Sequence, residues 1–345
     1  MWCPISHLSP DLILNDLFAE MRISIFFQSL GIPDPFEWIS DAMYNMKLDK
    51  DMFPNDLTTF LSWQALCRVT VQDDVDMTPN YGDVDEELRN RKLLPLSDEQ
   101  ESKFDYAMEN IAYKEELTGF CQLKGKDYFT LLPGEWLNDE VMNAYINMLQ
   151  DRNISRCQKD ANHVSVFFHN TFFFSKLAYW NKSQVEQYTY AAVQRWTMPR
   201  KIRARGLPVQ TMFECDLLIV PVHVGKVHWL CCCVDFMKFQ VGYYDSLSPS
   251  KYRKLVFRNM MRYLRDEWRD KMPGADADWL DDDKWKSVYD PDYADSQKNG
   301  LDCGVFTLKC ADWLSDGLIP DFSQEDIPYF RRRIGVEILE GKLLD

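Results

Sequence analysis

The sequence predicts an α+β fold, and three observations carry that prediction. Apolar, strand-like runs cluster at 215–223 (CDLLIVPVH), 228–236 (HWLCCCVDF) and 239–244 (FQVGYY). Helical patterns lie on both sides of this cluster, which is the segregated layering of an α+β domain. Hydrophobic residues make up 46% of the 345, with 11 Trp, 21 Phe and 16 Tyr. That is enough apolar surface for a sizeable core and argues against wholesale disorder.

Taken in order, the elements begin uncertainly. Leu12, Leu14, Leu17, Phe18 and Met21, then Phe26, Phe27 and Leu30, recur at spacings that suggest short amphipathic helices, broken by Pro33 and Pro35. Residues 71–87 (VQDDVDMTPNYGDVDEE) read as an acidic, weakly structured linker. Residues 1–95 are therefore expected to form an acidic extension, partly helical or disordered, and 96–345 the principal domain. A helix starts at Ser97 and runs through DEQESKFDYAMENI. Residues 126–150 pass from a turn into a helix with Leu137, Val141, Tyr145 and Met148 on one face. Residues 164–177 (VSVFFHNTFFFSKL) read as a buried strand and its continuation, and 187–197 (QYTYAAVQRWT) as a helix. After the three clustered strands, 251–268 form a long amphipathic helix, 276–290 an acidic, Trp-bearing loop, and QKNGLDCG (297–304) opens an apolar helix, VFTLKCADWL.

Charge narrows the function. The net charge is −15, but residues 1–110 hold 8 Lys and Arg against 21 Asp and Glu, while 111–345 hold 31 against 33. The bias is the reverse of what phosphate contacts need, so no nucleic-acid partner is expected. No apolar run approaches the roughly 20 residues of a membrane helix, and the opening MWCPISHLSP lacks the pattern of a secretory signal. The ten Cys include no C-x-x-C pair, so neither a structural zinc nor another metal is expected. Free thiols in a reducing compartment follow. Cys231, Cys232 and Cys233 lie in a strand and read as small core residues facing alternate sides.

One group of residues carries chemistry. A cysteine hydrolase needs a thiolate, an imidazole that exchanges protons with it, a group that orients the imidazole, and donors aimed at an oxyanion. Cys303 precedes a helix, where backbone N–H groups and the dipole favour negative charge, and Gly304 permits close approach of a substrate backbone. Taken alone, Cys303 reads more readily as a small buried residue. His228 begins a strand, with His163, His169 and His223 as rivals and His7 in the weakly patterned N-terminus. Asp245 ends the strand that follows, so antiparallel neighbours joined by a short turn bring His228 and Asp245 together. The alternative is that Asp245 with Ser246 begins a turn. Gln297 lies six residues before Cys303, where its amide either donates to an oxyanion with the Cys303 N–H or is simply solvated.

Together the strings GEWLNDE (134–140), VHW (227–229), YYDS (243–246) and QKNGLDCG (297–304) resemble the ubiquitin-like-protein-specific cysteine proteases, the sentrin/SUMO-specific protease group. NTFFFSKL (170–177), QRWT (194–197) and IPYFRRRIGVEILEGKLL (327–344) extend the resemblance over roughly 96–345. It implies a papain-like α+β fold with a central mixed sheet flanked by helices, a His228–Asp245–Cys303 triad, and Gln297 at the oxyanion hole. It also implies cleavage after the C-terminal Gly-Gly of SUMO, acting on SUMO precursor and on SUMO-conjugated proteins. No cofactor is implied, the enzyme is expected to be monomeric, and its location is expected to be intracellular, in the nucleus, at the nuclear envelope or in the cytoplasm. By motif position, Trp136 and Trp229 would close a narrow tunnel over the two glycines, and Asp139 would pair with a basic residue on the modifier. Core packing is the other account of the two Trp, and a solvated helix-start carboxylate that of Asp139. A Nedd-type modifier as substrate, or an inactive SUMO-binding module, are the alternatives. Residues 200–211 (RKIRARGLPVQT) look like a basic insertion, read as a solvated loop. Arg331-Arg332-Arg333 belong to the domain's C-terminal motif rather than to a localisation signal.

Overall fold

The structure, a computed structural model, describes residues 86–110, 117–118, 123–160, 163–180, 186–225, 227–247, 252–289 and 296–344. The short helices expected within 12–30 and nearly all of the acidic linker lie outside the described residues. In chain order the elements are α1 (Glu86–Lys92), α2 (Asp98–Asn110), β1 (Leu117–Thr118), β2 (Leu123–Lys124), α3 (Gly125–Phe129), α4 (Asp139–Lys159), β3 (Val166–Phe168), α5 (Phe172–Leu177), β4 (Ala178–Trp180) and β5 (Glu186–Tyr188). They continue with α6 (Pro199–Ala204), β6 (Leu217–Val224), β7 (His228–Asp235), β8 (Gln240–Tyr244), α7 (Arg253–Lys271), β9 (Lys286–Tyr289), α8 (Cys303–Leu314) and α9 (Ile327–Glu340).

The three clustered strands are β6, β7 and β8, paired antiparallel in sequence order. Parallel strands close the sheet on either side, giving the order β3-β6-β7-β8-β9 and a mixed sheet of five. The pleat divides the core in two. Ile219, Cys231 and Cys233 face one apolar cluster, with residues of α2, α4, α8 and α9. Leu218, Val220, Cys232 and Val234 face the other, with residues of α5 and α7. The three consecutive cysteines thus alternate faces as a period of two requires.

Four expectations are corrected. Residues 187–197 are not a helix: Glu186–Tyr188 pair antiparallel with β4, and a single 3₁₀ turn spans Tyr190–Ala192. The Tyr188 hydroxyl donates to Asp266 at 2.8 Å and that of Tyr190 to Glu267 at 2.8 Å, so contacts with α7 hold this segment extended. The strand at 164–177 stops at Phe168. The Asn170 side chain accepts from the Phe172 N–H and Asn143 accepts from the Thr171 N–H, which turns the chain into α5. The acidic loop at 276–290 contains β9, an edge strand parallel to β8, with Trp279 and Trp285 buried beneath it. The basic insertion is likewise a short helix, α6, with Ile202 buried. The Arg205 guanidinium donates inward to the Phe168 carbonyl at 2.9 Å and lies over the Phe167 ring, while Arg200, Lys201 and Arg203 are exposed.

Upstream of residue 96, α1 packs on the body. Lys92 is buried, with its ammonium 2.5 Å from both Asp312 and Asp316. Arg331 and Arg333 are also buried, in keeping with a structural role for the Arg331–Arg333 run. No helix among the described residues is long and apolar enough to cross a membrane.

Candidate active site

His228 opens β7 and Asp245 follows β8, and the antiparallel pairing sets the start of one strand beside the end of the other. The structure holds His228 Nε2 2.7 Å from Asp245 Oδ1. An ionised carboxylate only accepts, so Nε2 carries the proton and donates it. Nδ1 is then the ring nitrogen left for a thiol, and Cys303 lies close enough to the same imidazole to raise its titration. Burial pulls the imidazole's titration down, but the hydrogen bonds with Asp245 and Cys303, and their charges, raise it to about 9.

Asp245 is fixed from several directions. Its Oδ2 accepts from the Tyr243 hydroxyl at 2.6 Å, and Oδ1 accepts from the Leu247 N–H at 3.0 Å. Burial would push the carboxyl up. The His228 hydrogen bond and charge, with help from Tyr243, instead hold it below the usual carboxylate range. Tyr243 is a residue that the sequence alone does not mark beyond its place in the YYDS string. Its signal was its position two residues before Asp245 on a strand, which puts both side chains on one face.

Cys303 is the first residue of α8, behind Asp302 at the N-cap. The first N–H groups of a helix have no intrahelical acceptor, and the positive end of the dipole lies there. The side chain of Gln297 is buried: Oε1 accepts from Ser246 Oγ at 2.8 Å, Nε2 donates to the Asn299 carbonyl at 2.6 Å, and the backbone N–H donates to the Ser246 carbonyl. A primary amide has two N–H donors, so a second remains beyond the Asn299 bond. Ser246 therefore joins the Gln297 loop to the residue beside Asp245, a link that spacing alone does not reveal.

The two tryptophans differ. Trp136 is 49% exposed, with its indole N–H donating to the Gly300 carbonyl at 2.9 Å. Trp229 is 6% exposed and stacks on His223, with ring centroids 3.9 Å apart. Asp139 is the first residue of α4, half-buried, behind Asn138, whose side chain caps the Val141 N–H. The rival histidines sit in other settings. His223 is that stacking partner; His169 is buried against Phe173 with Nε2 3.3 Å from the Tyr263 hydroxyl; His163 lies beyond the end of α4.

Gly304 acts differently from the sequence expectation. A Cβ built there would lie 2.9 Å from Leu137 Cβ, so the close approach is that of the protein's own chain entering α4. Gly304→Ala is expected to destabilise the fold by about 1–3 kcal/mol through overpacking, read as a lower urea midpoint at an unchanged slope.

A helix-borne cysteine facing a histidine on the central mixed sheet is the arrangement of papain-like cysteine peptidases. The model of the Ulp1 protease family, C-terminal catalytic domain, matches residues 135–342, more than half of the chain, and the chain belongs to this family. Ubiquitin-like-specific protease 1A of Arabidopsis thaliana is 33% identical over 261 residues, covering 74% of this chain and 48% of that protein. Sentrin-specific protease 2 of Homo sapiens is 31% identical over 268 residues, covering 77% and 40%. The chain thus spans about half the length, or less, of these curated relatives. Among solved structures, the C-terminal Ulp1 protease domain in complex with Smt3, the yeast ortholog of SUMO, superposes with a TM-score of 0.53 at 21% identity, over 71% of this chain and 96% of that one. The Chaetomium thermophilum Ulp1-like SUMO protease catalytic domain gives 0.54 at 20% identity, over 72% and 91%. Both share the fold.

Proposed function

We propose that the chain is a thiol protease and isopeptidase that cleaves after the C-terminal Gly-Gly of SUMO, maturing the precursor and releasing SUMO from target lysines. The observation that carries this is the His228–Asp245 hydrogen bond with Cys303 acting on the same imidazole, and Gln297 anchored beside it. The relatives named above for ubiquitin-like and sentrin substrates support the choice of modifier.

On this reading His228 Nδ1 already holds the Cys303 proton, the two side chains resting as an ion pair, and Sγ attacks the carbonyl carbon of the terminal glycine. Asp245 holds the imidazole in the tautomer with Nε2 protonated and stabilises the imidazolium. The Cys303 N–H and the free Gln297 N–H receive the oxyanion. As the C–N bond breaks, His228 gives its proton to the leaving lysine amine, and a thioester remains. His228 then draws a proton from water, which attacks the thioester and regenerates the thiol. Trp136 and Trp229 would flank the two glycines, where flat indoles admit a chain without side chains and exclude bulkier ones. Asp139, at the start of α4, would meet a basic residue of the modifier. The site is complete within one chain, so the proposed active species is a monomer. The seven cysteines found free suit the reducing nucleus or cytoplasm. Residues 96–345 would carry the catalytic unit, with 1–95 an acidic extension anchored to it through Lys92 of α1.

Labelling with C-terminal electrophilic probes built on SUMO, the Nedd-type modifier and ubiquitin tests this. The expected result is rapid labelling of Cys303 by the SUMO probe alone. Preferential labelling by the Nedd-type probe would move the substrate within the family, and binding of SUMO without labelling would mark an inactive binding module.

A further inference from the structure

Arg331 is buried in the middle of α9, and every one of its five N–H groups is used. Nε and Nη2 both donate to Asp302 Oδ1, at 3.0 and 2.6 Å. Nη1 donates to the carbonyls of Thr130 and Leu132 at 3.1 Å each, and Nη2 also to that of Glu135 at 2.8 Å. One side chain therefore joins two segments that are far apart in sequence: the turn that ends at Trp136 and the turn that ends at Cys303.

The other oxygen of Asp302 carries the connection onward. Oδ2 accepts from Asn299 Nδ2 at 2.7 Å and from Gln324 Nε2 at 2.8 Å. Asn299 Oδ1 in turn accepts from the Leu301 and Asp302 N–H groups, shaping the turn, and its carbonyl receives the Gln297 amide. Across the same gap Trp136 donates to the Gly300 carbonyl. Asp302 sits at the N-cap of α8, yet its carboxylate makes no capping bond to that helix. Instead its acceptor sites are spent on holding the 299–302 turn to α9 and to Gln324. Only a planar guanidinium can serve one carboxylate and three carbonyls at once; a lysine ammonium has three donors and no fork.

We propose that Arg331, acting through Asp302, is a positioning residue of the active site: it sets the 299–303 turn that aims the Gln297 amide and the Cys303 N–H, and locks the Trp136 turn against it. The proposal rests on the thiol-protease reading above. It touches neither substrate nor the reacting atoms, so its signature is a loss of turnover that exceeds any loss of thiol reactivity. Oxyanion stabilisation depends on sub-ångström placement, whereas alkylation by a small haloacetamide needs only an accessible thiolate.

The test compares wild type, Arg331→Met and Arg331→Lys in the 345-residue chain, with three measurements: kcat and KM on a SUMO C-terminal fluorogenic substrate, the rate of Cys303 alkylation by iodoacetamide, and the thermal midpoint. Arg331→Met is expected to lower kcat about 100-fold, the order expected for a displaced oxyanion donor, while alkylation stays within a few-fold of wild type. Arg331→Lys, which keeps the charge but not the fork, is expected to recover only part of kcat. If Arg331→Met does not fold, Arg331→Lys decides by the same comparison. A folded variant with wild-type kcat, or one in which alkylation and kcat fall equally, overturns the proposal. Wild type that fails to turn over the substrate at all would overturn the protease reading instead, so the two failures are distinct.

Discussion

Cys303→Ala is expected to reduce hydrolysis of a SUMO precursor by about 10⁶-fold, down to the background of what the remaining site achieves without a nucleophile. Binding of SUMO should persist or tighten slightly, because the change removes one sulfur from a buried position. Calorimetry of the variant with mature SUMO, run beside a gel-based cleavage assay, separates the two quantities. The physical basis is the geometry of the start of α8. Among the described residues, Cys303 is the one thiol placed at a helix N-terminus and acting on an imidazole that a carboxylate holds from its other nitrogen. Its neighbours in composition are not competitors. Burial pushes the thiols of Cys232 and Cys233 far up, and a hydrogen bond with Cys310, backed by burial, does the same for Cys231, so these stay protonated and inert. Cleavage retained in full by Cys303→Ala would mean that another group is the nucleophile and that the whole assignment fails.

How much of this was legible in the sequence depends on the range over which each residue acts. Period-two patterning and short connections make β6, β7 and β8 readable, and the meeting of His228 with Asp245 follows from one hairpin. The sequence also marks the glutamine upstream of the cysteine. What it does not show are contacts made at a distance by side chains of ordinary appearance. Strand β9 pairs parallel with β8 across more than 40 residues, and a parallel neighbour leaves no hairpin signal, so an acidic segment with two tryptophans reads as a loop. Residues 187–197 carry tyrosines whose hydroxyls reach carboxylates on α7, and that tertiary contact outweighs local helical propensity. Gly304 looks like room for a substrate until Leu137 is found beside it. Arg331 is the extreme case. In sequence it is one of three consecutive arginines, which as a composition suggests a solvated charge run. In the fold its guanidinium is fully engaged some 28 residues from the cysteine whose loop it holds.

His228→Ala is expected to cost about 10⁴-fold or more in kcat/KM, because one imidazole both accepts the thiol proton and returns it to the leaving amine. The wild-type pH profile carries the sharper test. With Asp245 on Nε2 and Cys303 on the other side, the imidazole's value is raised to about 9 and the Asp245 carboxyl is held low. A raised histidine keeps its proton up to that value, so the leaving-group step retains its acid through neutral pH. Activity should hold to about pH 8 and fall as pH rises through about 9. The same sign governs stability. The contribution of the His228–Asp245 pair is fully present below the ordinary histidine value of 6.5 and is lost as pH rises through about 9. A limb in a pH profile does not by itself name its group, so a variant is needed to assign it. Asp245→Ala removes the acceptor at Nε2 and should move the alkaline limb of kcat/KM toward 6.5 while lowering its plateau. An alkaline limb that stays near 9 in Asp245→Ala would show that the carboxylate is not what holds the proton on His228.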